Sequence, residues 1–185
     1  TIQHIIHDIR QDTSLLNLTI DCLIEKCILQ QQYANNYVSI LQSLDKEFHC
    51  KHNIKTYIDS YDILFNFEKN EEIEDGVRKH YELLCEKNKK TDNFIGYCFA
   101  VYKLETNQLI SQKYESMLHT IIELIQKNKE ENKYENVYKY VCCLYTIVNE
   151  ECQCHSWLRE TLNELKQQIC DKKTVFKIMD ILDIN

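Results

Sequence analysis

The chain has 185 residues, a formal net charge of −7, ten cysteines, two glycines and no proline. That length suffices for a single domain over residues 1–185 with a substantial core. The acidic balance argues against indiscriminate nucleic-acid binding, and no run of about 18 apolar residues free of charge is present to form a transmembrane helix.

Taken from the start, "TIQHIIHDIR" (1–10) is amphipathic and lacks both the basic and the continuous apolar region of a signal peptide, so a cytosolic or nuclear protein is expected. His4 and His7 share one helix face there, but no third ligand lies nearby in sequence, and surface histidines are expected. Apolar residues then recur at three and four residues: Leu16, Ile20, Leu23 and Cys27; Met117, Ile121 and Leu124; Val137, Val141, Leu144 and Val148; Leu158, Leu162, Leu165 and Ile169. With strand alternation missing and almost no helix breaker, the chain should be nearly all helix.

Polar stretches at 10–14, 29–32, 49–53, 68–76, 87–93, 105–107, 127–133, 150–156 and 170–173 cut it into about nine or ten helices of roughly 11 to 20 residues. Asp, Ser, Thr or Asn is available to cap most of them. Connections this short suit antiparallel neighbours, and stacked pairs would bury a continuous core. No tetratricopeptide framework is present, since the single tryptophan is Trp157 and the closing proline is missing. A degenerate hairpin repeat of the HEAT kind and a compact bundle both fit.

Chemistry is sparse. Gly76 and Gly96 are too far apart to make a phosphate loop. "CQCH" (Cys152, Cys154, His155) and "HCKH" (His49–His52) lack the second knuckle of a structural zinc site, so reduced, structural cysteines are expected. With no recognisable nucleophile context, the expectation is a protein without catalysis, cofactor or metal.

Several segments, in order, resemble the middle domain of eukaryotic translation initiation factor four gamma, a HEAT-type scaffold that binds a DEAD-box RNA helicase. "LIEKCILQQQYANNYVSIL" (23–41) carries Glu25, Lys26, Tyr33, Ala34 and Asn35 of its Glu-Lys and Tyr-Ala-Asn elements. "NIKTYIDSYDILFNFEK" (53–69) is similar to the helix that ends Phe-Glu-Lys, and "NFIGYCFAVYKLET" (93–106) to the Phe-Ile-Gly helix, with Phe94, Ile95 and Gly96. "VCCLYTIVNE" (141–150) keeps Leu144, Thr146 and Ile147. The closing "KTVFKIMDILDIN" matches a basic residue, Phe and Asp-aliphatic-aliphatic-Asp-aliphatic as Lys173, Phe176, Asp180, Ile181, Leu182, Asp183 and Ile184. Departures include Val148 for a glycine, Tyr97 for a glutamate, Val175 and Asn185 for arginines, and a short acidic linker at 68–92, which together fit a distant or viral relative.

The resemblance implies an all-α, right-handed array of antiparallel helical hairpins, a HEAT-repeat solenoid of about five pairs. It implies a cytoplasmic translation initiation scaffold (host cytoplasm for a viral protein), monomeric and free of membrane, that binds and stimulates a helicase of the initiation-factor-four-A type. Tyr33, Asn35, Lys173, Phe176, Asp180 and Asp183 would contact the helicase, and Lys87, Lys89, Lys90, Lys172 and Lys177 would bind mRNA weakly. For Phe176 a core position and a partner contact stand open side by side. None of the twelve tyrosines begins the cap-binding-protein signature, so that partner would be met only through a segment outside these residues. Related scaffolds of mRNA decay or nuclear cap binding are the alternative, and a Bcl-2-like helix-binding protein a more distant one.

Overall fold

The computed structural model describes residues 1–65 and 77–184, with backbone alone for 77–84 and residue 87. Among the described residues the protein is all helix: α1 (Ile2–Gln11), α2 (Leu15–Leu29), α3 (Ala34–Phe48), α4 (Lys51–Ser60), α5 (Val77–Thr106), α6 (Tyr114–Glu130), α7 (Tyr134–Glu151), α8 (Ser156–Gln168) and α9 (Lys172–Leu182). Short 3-10 turns at Gln31–Tyr33 and Tyr61–Phe65 complete it. No described helix is long and apolar enough to cross a membrane. The chain divides into two compact units, Thr1–Tyr114 and Glu115–Asn185.

In the first unit α2 is the central element, packed by α1, α3, α4 and α5. It buries Ile20, Leu23, Ile24, Cys27 and Ile28, so apolar residues occupy more than the single stripe of a surface helix. Helix α5 reaches it through Gly96, which is fully enclosed: a Cβ there would stand 1.9 Å from the Ile28 carbonyl oxygen. Phe94, Tyr97, Cys98, Ala100, Val101 and Leu104 are buried on the same helix.

Helix α5 corrects one expectation, since it runs without interruption through 87–93, where a break was expected. Lys, Asn and Thr are only mildly unfavourable in a helix, and with no glycine or proline among them polarity alone does not end it. The break at 68–76 lies outside the described residues. The capping expectation fails at the starts of α4 and α6, where acids of preceding helices take the N-terminal amides. Asp45 accepts from the Lys51 amide at 3.1 Å, and Glu105 accepts from those of Lys113 and Tyr114, each at 2.9 Å. Asp171 follows the expected pattern, accepting from the Thr174 amide at 2.9 Å.

A polar cluster holds the end of α4, the 3-10 turn at Tyr61–Phe65, α5 and the segment before α6. The buried Tyr97 hydroxyl donates to Asp62, while Lys113 donates to Asp59 at 2.6 Å and to both Asp62 oxygens at 2.9 and 3.0 Å. Lys55 reaches Asp59 at 2.7 Å, and the Phe65 ring meets those of Phe94 and Tyr97 edge-on. Burial raises the Asp59 pKa, but the hydrogen bonds from Lys113 and Lys55 outweigh it and leave the group below its usual range. Burial and the Asp62 carboxylate push the Tyr97 phenol far upward, so it stays a donor at any ordinary pH.

The second unit packs α7 against α9 and α8 against α9. Its core comprises Ile121 and Ile125 of α6, Val137, Val141, Leu144 and Val148 of α7, Leu158 and Leu162 of α8, and Ile178 and Ile181 of α9. His119 of α6 stacks on Trp157 of α8 at 4.3 Å, and Lys129 of α6 donates to Gln168 of α8 at 2.6 Å.

Alanine raises helix propensity over glycine by about 1 kcal/mol, yet Gly96→Ala should lower unfolding free energy by about 3 kcal/mol because backbone must move; urea melts give the sign. Lys113→Met leaves Asp62 without its cation and Asp59 with Lys55 alone, and should cost about 1–2 kcal/mol at neutral pH. A depressed aspartate pKa stabilises above its unfolded value and ceases to as pH falls through the folded one. Wild-type stability should therefore decline below about pH 4, and the variant should show a shallower decline.

Candidate protein-docking face on the last helix

Helix α9 is held on every side but one. At its start the Asp171 carboxylate accepts from the Thr174 amide and, at 2.5 Å, from the Thr174 hydroxyl; these bonds keep its pKa low. Thr174, Ile178 and Ile181 form its buried face. At its end the Arg159 guanidinium of α8 donates through Nη1 to the Leu182 carbonyl and through Nη2 to that of Ile184, each at 2.6 Å. Those carbonyls lack partners within the helix, and a cation suits the negative end of its dipole.

Along one edge α9 meets the tyrosines of α7. The Lys173 ammonium sits 3.7 Å from the centre of the Tyr138 ring and that of Lys177 lies 3.9 Å from the centre of Tyr145, a cation–π geometry. Lys177 also donates to Asp180 at 2.8 Å, and this bond raises the lysine pKa. The half-buried Cys142 thiol lies in the same region, its pKa pushed up by burial against the opposing pull of Tyr138 and both lysines. That direction gives an inert thiol rather than a nucleophile.

The open side carries Lys172, Phe176, Met179, Asp180 and Asp183, all exposed. Phe176 is 64% exposed and Met179 42%. Leaving a phenylalanine this open forgoes about 1–2 kcal/mol of burial, which is a feature of binding surfaces when a second apolar residue adjoins it. Of the two positions open for Phe176, the core one is therefore excluded.

The helix thus brings together Lys172, Lys173, Phe176, Lys177, Asp180 and Asp183, but gives them different work. Lys173 and Lys177 brace α9 on α7, and Asp180 holds Lys177; Lys172 and Asp183 make no ion pair among the described residues. Tyr33, 50% exposed, and Asn35, also exposed, lie in the first unit at the start of α3. Lys89 and Lys90 are exposed on α5, and the Lys87 side chain lies outside the described residues. Sequence reasoning missed Met179, Arg159, Tyr138 and Tyr145. Met179 was discoverable as the residue three beyond Phe176 on one face, whereas Arg159 carried no such signal.

Among the described residues no three of His, Cys, Asp and Glu converge as a metal site. Cys152 is exposed in a left-handed turn that ends α7, Cys154 is buried, and His155 pairs with Glu151 at 3.2 Å. No family model, curated protein or solved structure matches this chain.

Since two charge-assisted hydrogen bonds end α9, Arg159→Ala should cost about 1–3 kcal/mol. Amide exchange in α9 should rise more than in α7. Equal rises in both helices would assign Arg159 to the general stability of the unit.

Proposed function

We propose that this chain is a translation initiation scaffold that docks on a DEAD-box RNA helicase of the initiation-factor-four-A type and stimulates it. The reading is supported by the ordered resemblance across 23–184 and carried by one observation, the outward position of Phe176. In this reading the helices form a right-handed HEAT-type array of antiparallel hairpins, and the protein works in the cytoplasm.

Phe176 and Met179 supply the apolar contact, with Lys172 and Asp183 on either side to set orientation. Lys173, Lys177 and Asp180 keep α9 rigid, which lowers the entropy lost on binding. Tyr33 and Asn35 give the first unit its own exposed contact, so each unit meets one lobe of the helicase. The scaffold performs no chemistry. It raises ATP turnover by binding one arrangement of the two lobes more tightly than the others, and the gain is limited to that difference in affinity. Lys89, Lys90 and Lys172 offer a weak, salt-sensitive hold on mRNA, in which Lys177 takes little part because Asp180 and Tyr145 already engage it.

The test is stimulation of helicase ATPase by wild type and by Phe176→Ala. An exposed residue can be truncated with the fold retained, and the variant should need about 10-fold more protein, or greater, for half-maximal stimulation. Undiminished stimulation by the variant would remove Phe176 from the interface. A wild-type chain that binds helicases of mRNA decay or nuclear cap binding, and not the initiation type, would reassign the scaffold to those processes; binding to no DEAD-box protein would end the proposal.

A further inference from the structure

Lys172, Phe176, Met179 and Asp183 are separated by four, three and four residues, so they fall along one narrow stripe of α9. All four are exposed, and the order along the stripe is cation, aromatic, thioether, anion. This order is its own complement when reversed. If a second copy of the helix lies antiparallel, about a twofold axis passing between residues 177 and 178, each Lys172 faces an Asp183 and each Phe176 faces a Met179. The two ion pairs then lie at the ends and two sulfur–aromatic contacts at the middle. A parallel arrangement would instead set lysine against lysine and aspartate against aspartate. The remaining acid near the stripe, Asp180, is occupied by Lys177, and so does not compete for the partner's Lys172.

We infer that α9 is a self-docking face, through which two copies of this chain associate as an antiparallel, twofold pair. Such an interface is isologous, each residue meeting its complement twice. One three-turn helix per copy buries well under the roughly 1,200 Å² of a stable complex, so the pair is weak and reversible, with a dissociation constant on the order of 100 µM. The association stands on the stripe alone. Its consequence, which rests on the docking reading of α9, is regulatory: pairing covers Phe176, so self-association and helicase binding exclude each other.

The experiment is sedimentation velocity on wild type, K172D and D183K, from about 10 µM to about 1 mM, the range in which such a pair forms. Circular dichroism on each variant checks retained folding. Wild type should shift from monomer to dimer. Each single variant should associate about 10-fold more weakly, because both end pairs become repulsive. An equimolar mixture of K172D and D183K should recover association, since the two acids of one copy then meet the two bases of the other. A monomeric wild type over the whole range, single variants that dimerise as wild type does, or a mixture no more associated than its components would each overturn the inference. No helicase enters these measurements. A dimer that obeys the charge swaps in a chain that binds no helicase would leave this inference standing and remove the functional reading; a strictly monomeric chain that stimulates helicase would do the reverse.

Discussion

The fork of Arg159 on the last carbonyls of α9 is the interaction on which the outward face depends. A helix of eleven residues is too short to be stable by itself, and its apolar residues could be accommodated in more than one rotation. Thr174, Ile178 and Ile181 choose the buried side, Lys173 and Lys177 settle on tyrosines of α7, and Arg159 fixes the far end. With those three sides committed, Phe176 and Met179 are left in water.

The first unit shows the same logic of over-determination by different means. Close approach of α5 to α2 is possible only because position 96 lacks a side chain, and the Tyr97 hydroxyl beside it finds Asp62 rather than remaining buried without a partner. Lys113 answers both carboxylates of that region. Tyr97 is therefore used in a bond from a neutral hydroxyl to a carboxylate.

Much of the helical layout was legible in the sequence, because the stripes of α2, α7 and α8 keep a helical period and fall in the core, apart from the half-buried Leu16: Ile20, Leu23 and Cys27; Val137 through Val148; Leu158 through Ile169. The polar stretch at 87–93 misled because exposure and helix termination have the same compositional signature when no glycine or proline is present. Caps misled at α4 and α6 because the acids that take the free amides, Asp45 and Glu105, come from earlier helices. The orientation of α9 was illegible for a plainer reason. Val175, Phe176, Ile178, Met179, Ile181 and Leu182 place apolar groups nearly all round the helix, and only its neighbours decide which of them are covered. Arg159, which helps decide it, lies in a different helix and follows no motif.

The exposed stripe of α9 is either where a partner lands or a surface left open to water. Isotope-labelled protein titrated with an initiation-type DEAD-box helicase, followed by amide and side-chain chemical shifts, tests this directly. Changes concentrated at Lys172, Phe176, Met179 and Asp183, with Thr174, Ile178 and Ile181 little altered, are the predicted result. Shifts centred elsewhere in Glu115–Asn185 while Phe176 and Met179 stay unmoved at saturation would contradict it.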